Sequence, residues 1–430
     1  MIKIDKPTRQ EIIEAIIPEL SFVFPYTAQE YNENLFMENY HKHTYESNVR
    51  QIDSATGYEK YIAKTKEYQG KCLFSGEHGW QGQYYLTYKL ANENNLKFRF
   101  STEAYWVKDN QEKDKTNAHI ILVAKNLEGL KEINYILSRA NEDGYYFKPR
   151  IDKKLLFTLH PENVFVTSAC IAGWKYEDAT NIWLEVFKHF GSSFFLEVQC
   201  HDTPEQKRIN KIIQALAQEY GINIIVGLDS HYVDEEDKIK RSNLLLRKNV
   251  RYADEDGWYM DYPTGEETYT RLKRQGVLSE KEILTAIMNT CIFINECEEI
   301  IFDQSFKIPS ILKGYNNATK NKVFHDLLMK RYEKEKFQSD EKLAGIEYEY
   351  NEIAESGITD YFLTNHVIVR NAVEKYNGIL TTTGRGSAGS FICNKILGFT
   401  TLDRFTSEIP IYPERFLTKD RICNSHQLPD

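Results

Sequence analysis

The chain has 430 residues, more than one ordinary domain needs, so two domains with well-buried cores are expected. Its formal net charge of −9 excludes a general electrostatic attraction to nucleic acid or anionic membranes, so any contact with DNA must be local. No apolar run reaches the roughly 18 residues of a membrane span, and the N-terminus lacks the apolar stretch of a signal peptide. Seven scattered cysteines without a CxxC pair indicate reduced thiols, and together these features predict a cytoplasmic protein without a membrane partner.

In chain order, the sequence pattern divides the chain into four segments. Residues 1–35 mix a short helical pattern with aromatic residues and are predicted to form an N-terminal extension. Between residues 36 and 300, short apolar runs alternate with amphipathic helical patterns, which is typical of βα units, a mainly parallel sheet and a β/α barrel. Pro, Gly and paired Asn indicate a linker over 301–320. Residues 321–430 start with charged helical patterns and end in a glycine-rich segment.

Side chains with metal-ligand chemistry recur at the ends of the predicted strands. His41 and His43 stand in NYHKHTYES, and in an extended strand residues i and i+2 share one face, roughly 7 Å apart. The string DSH repeats this spacing with Asp229 and His231. Further candidates follow other strands, except for one histidine that precedes its strand: they are His78, Glu103, Cys170 and, before its strand, His119.

Imidazole, carboxylate and thiolate ligands together suit Zn²⁺ or Mn²⁺, and bridging carboxylates suit two or three neighbouring ions. Such a cluster lowers the pKa of bound water toward about 7 and clamps a phosphodiester for hydrolysis. Taken singly, each signal has a plainer interpretation: an HxH pair is more often coincidence, and a lone Cys170 is more often a small buried apolar residue. Their joint placement at strand ends favours a metal site.

The order of these residues resembles the polymerase and histidinol phosphatase (PHP) domain of bacterial C-family replicative polymerases, the DNA polymerase III alpha subunits. The strings TSACIAG, KPRID and PEQK strengthen the resemblance, which runs from about residue 38 to the last residue. It implies a PHP-type distorted β/α barrel. By motif, the implied metal ligands are His41, His43, Asp53, His78, Glu103, His119, Cys170, Asp229 and His231; Asp53 matches only across a short insertion in ESNVRQID.

The sequence departs from the family at one ligand motif, where the usual Thr-Asp-His becomes Gly76, Glu77 and His78. Glu197 and His201 lie near the predicted set and are expected to support ligands or face solvent. Family members that keep the ligands show metal-dependent 3′ to 5′ exonuclease activity, whereas others use the domain as a structural support. Retention of every histidine and the cysteine favours bound metal and a proofreading function.

Residues 384–390, GRGSAGS, follow the strand-like ILTTT and precede a helical pattern. A glycine-rich turn into a helix lets backbone N–H groups approach a phosphate closely. Alone, such a loop is more often an ordinary turn, and it fails the P-loop pattern. In context it resembles the palm motif of the same polymerases, an α+β nucleotidyltransferase-like domain. The residues implied to bind the triphosphate of the nucleotide are Arg385, Gly386, Ser387, Gly389, Ser390 and Arg415, with extra residues before Pro429 leaving Arg421 less well matched.

The chain ends SHQLPD, so Asp430 matches the first aspartate of the family's PDxD motif and the second is absent. Two-metal nucleotidyl transfer with Mg²⁺ needs at least two carboxylates, so this chain is not expected to polymerise by itself. Three origins stay open: a truncated gene or fragment, a split polymerase, or a gene interrupted at this motif. The implied partners are primer-template DNA, a dNTP, a second chain or segment carrying the remaining palm, thumb and fingers, and a sliding clamp.

The sequence therefore predicts the N-terminal part of a bacterial or phage replicative DNA polymerase, with a metal-binding domain suited to 3′-end hydrolysis. A free-standing PHP phosphoesterase is one alternative, but the palm-like segment has no use in a small phosphatase. The other alternative is a structural module in which the metals only stabilise a polymerase assembly.

Overall fold

The computed structural model describes residues 6–252, 257–303, 307–380, 386–409 and 411–425. By their internal contacts the residues divide into two compact units, residues 1–301 and 302–430. The first unit contains both sheets and the candidate metal ligands. In the described residues, no helix combines the length and the apolar character needed to cross a membrane.

The strands of the first unit are short, and most of their residues are buried because both faces are covered. The predicted apolar runs before His78, Glu103, Cys170 and Asp229 form strands, whereas the segment before His41 forms none. The strands are β1 Cys72–Phe74, β2 Glu77–His78, β3 Lys97–Arg99, β4 Ser101–Trp106, β5 Ala118–Ala124, β6 Arg150–Ile151, β7 Val164–Thr167, β8 Phe194–Val198 and β9 Asn223–Val226.

The main sheet has the order β2-β4-β5-β7-β8-β9, with β6 added beside β4, while β1 and β3 form a separate pair. The pairing is parallel except at β5, which runs antiparallel to both β4 and β7. The mixed α/β class is confirmed. Within the described residues the ladders form an open path rather than a closed ring, and the predicted parallel sheet contains one reversed strand.

The segment around His41 continues this arrangement beyond β9. Lys42 forms a parallel bridge with Ser230, in which the His43 N–H donates to the Ser230 carbonyl at 2.8 Å and the Ser230 N–H donates to the His41 carbonyl at 3.2 Å. Residues 41–43 are therefore extended, as the HxH spacing requires, and both imidazoles lie on one face.

Helices cover the sheet, and their apolar stripes face it; in α5, for example, Ile133 and Ile136 are fully buried. The longest one, α8, starts with a Thr203 side-chain cap and a proline in its first turn. The helices of this unit are α1 Arg9–Ile16, α2 Ala28–Asn34, α3 Tyr58–Glu67, α4 Tyr84–Glu93, α5 Leu127–Glu142, α6 Lys153–Leu156, α7 Ala179–Phe190, α8 Pro204–Tyr220, α9 Glu235–Arg247, α10 Gly265–Gln275, α11 Glu280–Asn289 and α12 Ile292–Asn295.

The described part of the second unit is helical, around a core that includes Phe324, Ile353 and Leu397. The strand-like ILTTT contributes no described strand: Ile379 and Leu380 have no regular structure, and residues 381–383 lie outside the described residues. The helices are α13 Asn317–Tyr332, α14 Asp340–Glu355, α15 Thr359–Tyr376, α16 Ile392–Leu397 and α17 Lys419–Ser425.

Gly76 offers a test of this local fold. Its φ is +53°, and a Cβ there would lie 2.8 Å from the Lys42 carbonyl oxygen. We expect Gly76→Ala to lower the free energy of unfolding, measured by urea titration, by clearly more than the roughly 1 kcal/mol that a left-handed alanine costs. Gly221→Ala is the matched control, because Gly221 has a φ of +70° but open space around it. Equal losses in both variants would contradict this account.

Candidate metal centre

The direction of β5 explains the one candidate ligand that precedes its strand. Because β5 is antiparallel to β4, its start lies at the edge where β4 ends, and His119 stands opposite Tyr105 in the register. Glu103 on β4, His78 on β2 and the residues after β7 and β9 reach the same edge. The candidates from separate strands therefore converge.

Glu103 lies at the middle of the cluster. One of its carboxylate oxygens, Oε2, is 2.7 Å from His78 Nδ1 and 3.3 Å from His43 Nε2. The other, Oε1, is 2.8 Å from His119 Nδ1, 3.3 Å from His41 Nε2 and 3.8 Å from the Cys170 sulfur. One buried carboxylate thus contacts five of the other eight candidates.

Asp229 contacts histidines from both the HxH string and the DSH string. Its Oδ1 lies 3.2 Å from Nε2 of His41, of His43 and of His231. Asp229 has a φ of +47°, a left-handed conformation that non-glycine residues adopt at a cost. The Lys42–Ser230 bridge fixes the turn, so DSH and HxH present their side chains to a common point.

Asp53, matched only across an insertion, is 1% exposed and belongs to the cluster. Its Oδ2 lies 2.7 Å from His78 Nε2, and its Oδ1 lies 3.7 Å from His231 Nδ1. Two side chains hold the loop in place: Arg241 Nε donates to the Asp53 carbonyl at 2.6 Å, and the Tyr252 hydroxyl donates to the Ile52 carbonyl at 2.6 Å. All nine predicted residues are thus brought together.

Six buried donor atoms of this cluster make no hydrogen bond within the described residues, although some of them lie close to one another. In the described part of the chain the candidate ligands form three overlapping groups suited to a cation: His41, His43 and Asp229; His43, His78 and Glu103; and Glu103, His119 and Cys170. Buried polar atoms without partners are uncommon unless an ion or water satisfies them. The unpaired atoms are His41 Nε2, His43 Nε2, His78 Nδ1, His231 Nδ1, Asp53 Oδ1 and Glu103 Oε2. The donor set fits divalent metal ions.

Charge in the cluster is divided between carboxylates and imidazoles. Burial alone raises the pKa of the Asp53, Glu103 and Asp229 carboxyls, but the surrounding histidines outweigh it and hold these pKa values well below their usual range. Burial lowers the pKa of His78 and His231, but nearby carboxylates, Asp53 first, raise it to about 10 and about 9. In the metal-free chain, protons therefore balance the carboxylates.

A further carboxylate, Glu197 on β8, orients His41 from behind. Its Oε1 lies 2.7 Å from His41 Nδ1, and its other oxygen accepts from the Tyr40 hydroxyl at 2.7 Å. This contact directs Nε2 of His41 toward the cluster, as expected of a carboxylate behind a metal-binding histidine. His201 is also buried: its Nδ1 accepts from the Tyr259 N–H at 3.0 Å, and its ring packs on Trp258.

Glu77, which stands where the family has aspartate, supports His43 rather than joining the cluster. It accepts from the Ser47 hydroxyl at 2.5 Å, and Ser47 Oγ lies 3.2 Å from His43 Nδ1. Glu77 also lies 3.4 Å from the Nζ of Lys42, which is buried over the Tyr58 ring. Burial lowers the pKa of Lys42 to about 8. The string HKH shows a lysine between two candidate ligands, but nothing in the sequence predicts that this lysine is buried or that it contacts Glu77.

A cavity of about 440 Å³ opens onto the cluster. Seven of the nine candidates line it, and they are Asp53, His78, Glu103, His119, Cys170, Asp229 and His231. Lys148, Lys175 and Trp258 also line the cavity. The donor atoms are therefore accessible to a ligand from outside.

The predicted phosphate-binding residues belong to the second unit. Gly386, Ser387, Gly389 and Ser390 lie in one 3₁₀ turn before α16. The N–H groups of Ile392 and Cys393, at the start of α16, already donate to the buried Glu349 carboxylate at 3.0 and 2.8 Å. The helix start predicted to face phosphate is thus occupied by a side chain of this protein.

Arg415, another predicted phosphate-binding residue of this unit, makes contacts with its neighbours in the sequence. The Arg415 guanidinium packs over the Phe416 ring, and the Arg415 carbonyl accepts from Arg421 at 3.1 Å. Arg385 and Asp430 lie outside the described residues.

Two family models match the chain. Residues 39–201 match the PHP domain, and residues 319–430 match the bacterial DNA polymerase III alpha NTPase domain. The chain therefore carries these two domains in this order. Over most of its length it is related to proteins named DNA polymerase III subunit alpha.

Among these relatives, the protein of Aquifex aeolicus is 27% identical over 406 residues, covering 86% of this chain and 34% of the relative. The protein of Borreliella burgdorferi is 28% identical over 402 residues, covering 89% and 34%. The protein of Deinococcus radiodurans is 34% identical over 155 residues, covering 34% and 12%. The chain thus spans about a third of the length of the first two relatives.

Among solved structures, an amidohydrolase from Chromobacterium violaceum with bound sulfate and no metal matches at 12% identity and a TM-score of 0.29. The match covers 46% of this chain and 88% of that one.

Metal binding should release protons, because His78 and His231 are protonated at pH 7 in the metal-free chain. A cation must displace these protons, so Mn²⁺ affinity should increase as the pH rises from 6 to 9, by about tenfold per pH unit for each proton released. Calorimetric titration in buffers of different ionisation enthalpy measures this release. His160→Ala, at an exposed histidine beside Glu132, should leave it unchanged. Mn²⁺ binding without proton release would contradict the assigned charges.

Glu197→Gln tests the support behind His41. Loss of the negative charge 2.7 Å from His41 Nδ1 should lower Mn²⁺ affinity about 10- to 100-fold while the chain stays folded. Glu132→Gln removes a comparable carboxylate beside exposed His160 and serves as the control. Equal Mn²⁺ affinity in both variants would show that Glu197 does not support the site.

Proposed function

We propose that this chain is the N-terminal part of a bacterial or phage replicative DNA polymerase, in which the PHP domain hydrolyses phosphodiester bonds at a DNA 3′ end. The convergence of nine predicted ligands at one buried cluster carries this proposal. In this assignment residues 1–35 are an N-terminal extension, 36–300 the metal-binding domain, 301–320 a linker and 321–430 the start of the palm. The names of the relatives support the polymerase context.

We assign the nine clustered side chains as metal ligands, with room for up to three ions in the overlapping groups. Several imidazoles, one thiol and three carboxylates suit Zn²⁺ or Mn²⁺ better than Mg²⁺, which prefers oxygen ligands. Glu103 belongs to two of the groups, and His43 belongs to two as well. These two residues would therefore be shared between neighbouring ions.

When bound, divalent ions supply Lewis acidity and a nucleophilic water at neutral pH. The chain's own groups supply the rest. Glu197 and Ser47 hold the Nδ1 sides of His41 and His43, so that each Nε2 faces the cluster. The cavity gives a phosphodiester access to His119 and Cys170, whereas His41 and His43 do not line it and are fully buried. This arrangement suits hydrolysis of a strand end more than of an internal bond, because the access is a pocket.

For the complete polymerase, we propose that residues of the 3₁₀ turn bind the triphosphate of a dNTP and that Asp430 contributes to a Mg²⁺ site. The triphosphate contacts assigned here are Arg385, Gly386, Ser387, Gly389, Ser390 and Arg415. Because Glu349 occupies the start of α16, the turn itself rather than the helix has to supply backbone N–H groups. Primer-template DNA and a segment with the remaining palm, thumb and fingers complete this activity, and a sliding clamp is a further candidate partner.

The hydrolytic proposal is tested with the purified chain and a 5′-labelled primer with a mismatched 3′ end. With Mn²⁺ or Zn²⁺ we expect shortening from the 3′ end, and His43→Ala or Asp229→Asn should reduce the rate at least about 100-fold, since each side chain contacts two or more groups of the cluster. Gel electrophoresis of the products measures the rate.

His160→Ala is the matched histidine control and should cut like the unmodified chain. Unchanged cutting by His43→Ala and Asp229→Asn would refute the assignment. A structural module would give a different result: Mn²⁺ would raise the melting temperature of the unmodified chain without any shortening of the primer.

A further inference from the structure

The cavity beside the metal cluster has a second wall that the proposed hydrolysis leaves unexplained. This wall includes Lys148, Lys175, Arg241, Tyr252 and Trp258. A cavity of about 440 Å³ is in the range that holds one small molecule or cofactor-sized group, which is the size class of a single nucleotide.

Two lysines of this wall carry charge without a carboxylate partner. The Lys148 Nζ donates to the Tyr105 hydroxyl at 3.1 Å and to Gln51 Oε1 at 3.4 Å, and it also contacts the Arg50 carbonyl. Lys175 is exposed and follows the turn after Cys170. Within the described ranges neither lysine forms an ion pair. Lys175 can therefore meet an anion directly, whereas at Lys148 an anion has to replace a neutral acceptor, of which Gln51 Oε1 at 3.4 Å is the most distant.

Trp258 adds a flat apolar surface to the same wall. Its ring centroid lies 4.6 Å from that of buried His201. The neighbouring backbone is fixed on both sides: the Tyr259 N–H donates to His201, and the Met260 carbonyl accepts from the His231 N–H at 2.8 Å. The indole is thus held next to a candidate ligand, and an indole face of this kind stacks on any nucleobase.

The rim of the cavity continues into exposed cations. Arg241 in α9 and Tyr252 after it line the cavity, and between them the chain carries Arg247, Lys248 and Arg251. These three residues are exposed, and none has an ion-pair partner among the residues that the structure describes. Residues 241–252 contain four cations and no acid, whereas residues 254–256 are all acidic, so attraction to a polyanion is confined to this short segment of the chain.

We propose that the cavity takes one unpaired 3′-terminal nucleotide of single-stranded DNA. Its base stacks on Trp258, its phosphate lies between Lys148 and Lys175, and the strand leaves along Arg247, Lys248 and Arg251. This inference rests on the proposed hydrolysis and adds the residues that hold the terminal nucleotide. A paired 3′ end must first unpair, so the cavity itself selects frayed or mismatched ends.

The first experiment compares two substrates, the single strand (dT)10 and the small diester bis(p-nitrophenyl) phosphate, both with Mn²⁺. Trp258→Ala should lower kcat/KM on (dT)10 roughly 5- to 100-fold, as expected for a lost base stack. It should leave Mn²⁺ binding unchanged, whereas the small diester, which itself carries aromatic rings, reports only whether the unmodified chain hydrolyses phosphodiesters. Trp258→Phe should restore most of the activity on (dT)10. Lys148→Gln should also reduce cutting of (dT)10, and Lys131→Gln, at an exposed lysine of α5, should not.

The two proposals fail in different ways. If the unmodified chain cuts neither substrate, the hydrolytic function fails, and binding of 5′-labelled (dT)10, measured by fluorescence anisotropy, then decides the present inference. Equal affinity of Trp258→Ala and the unmodified chain would overturn it. If the unmodified chain cuts both substrates and Trp258→Ala cuts (dT)10 equally well, only the inference is overturned. Cutting of a blunt duplex as fast as the single strand would overturn it too.

The second experiment tests the path along α9. The triple variant Arg247→Gln, Lys248→Gln, Arg251→Gln should reduce the slope of log affinity for (dT)10 against log salt concentration by about 2, since each phosphate contact on a single strand contributes roughly 0.7. The control triple variant Lys131→Gln, Lys188→Gln, Lys211→Gln changes the same charge on α5, α7 and α8. A slope unchanged by the α9 substitutions, or reduced equally by the control, would refute the path.

Discussion

The arrangement of the first unit depends on one buried carboxylate. Glu103 is 1% exposed and lies within contact distance of four imidazoles and a thiol. A buried charge of this kind persists only when cations or protons surround it. The strand ends, the loop that carries Asp53 and the turn that carries Asp229 all bring such groups to it. The fold of this unit therefore places imidazoles and a thiol around the buried Glu103 carboxylate.

Much of this site could be predicted from local sequence. The i, i+2 spacing of His41 and His43 needs only an extended segment, and the Lys42–Ser230 bridge provides one. The direction of β5 could not be predicted, because nothing in AHIILVAK indicates which way the strand runs, and so His119 was an exception to the pattern. Asp53 depends on contacts from residues almost 200 positions away, Arg241 and Tyr252. Contacts between residues so far apart in the chain cannot be predicted from the sequence around Asp53.

The same limit applies to the second unit. The glycine-rich turn is visible in the sequence, but the Glu349 carboxylate that meets the start of α16 comes from α14, 43 residues earlier. Burial raises the pKa of Glu349 to about 7 although it accepts two backbone N–H groups. A local motif predicts which backbone N–H groups at a helix start lack a partner within the helix. The tertiary fold determines which acceptor they bind. The strand that should precede the turn stays a prediction from ILTTT.

The Lys42–Glu77 pair carries a consequence for how such a site can change over time. A buried charge left without its partner is strongly destabilising, by about 3–5 kcal/mol, whereas a well-packed apolar replacement of both partners is tolerated. Lys42 lies between the two ligand histidines, and Glu77 supports His43 through Ser47. A substitution at only one of the two positions should therefore disturb the backbone that holds His41 and His43. Substitutions at positions 42 and 77 should therefore occur together in evolution. A protein that loses the lysine should also replace the glutamate.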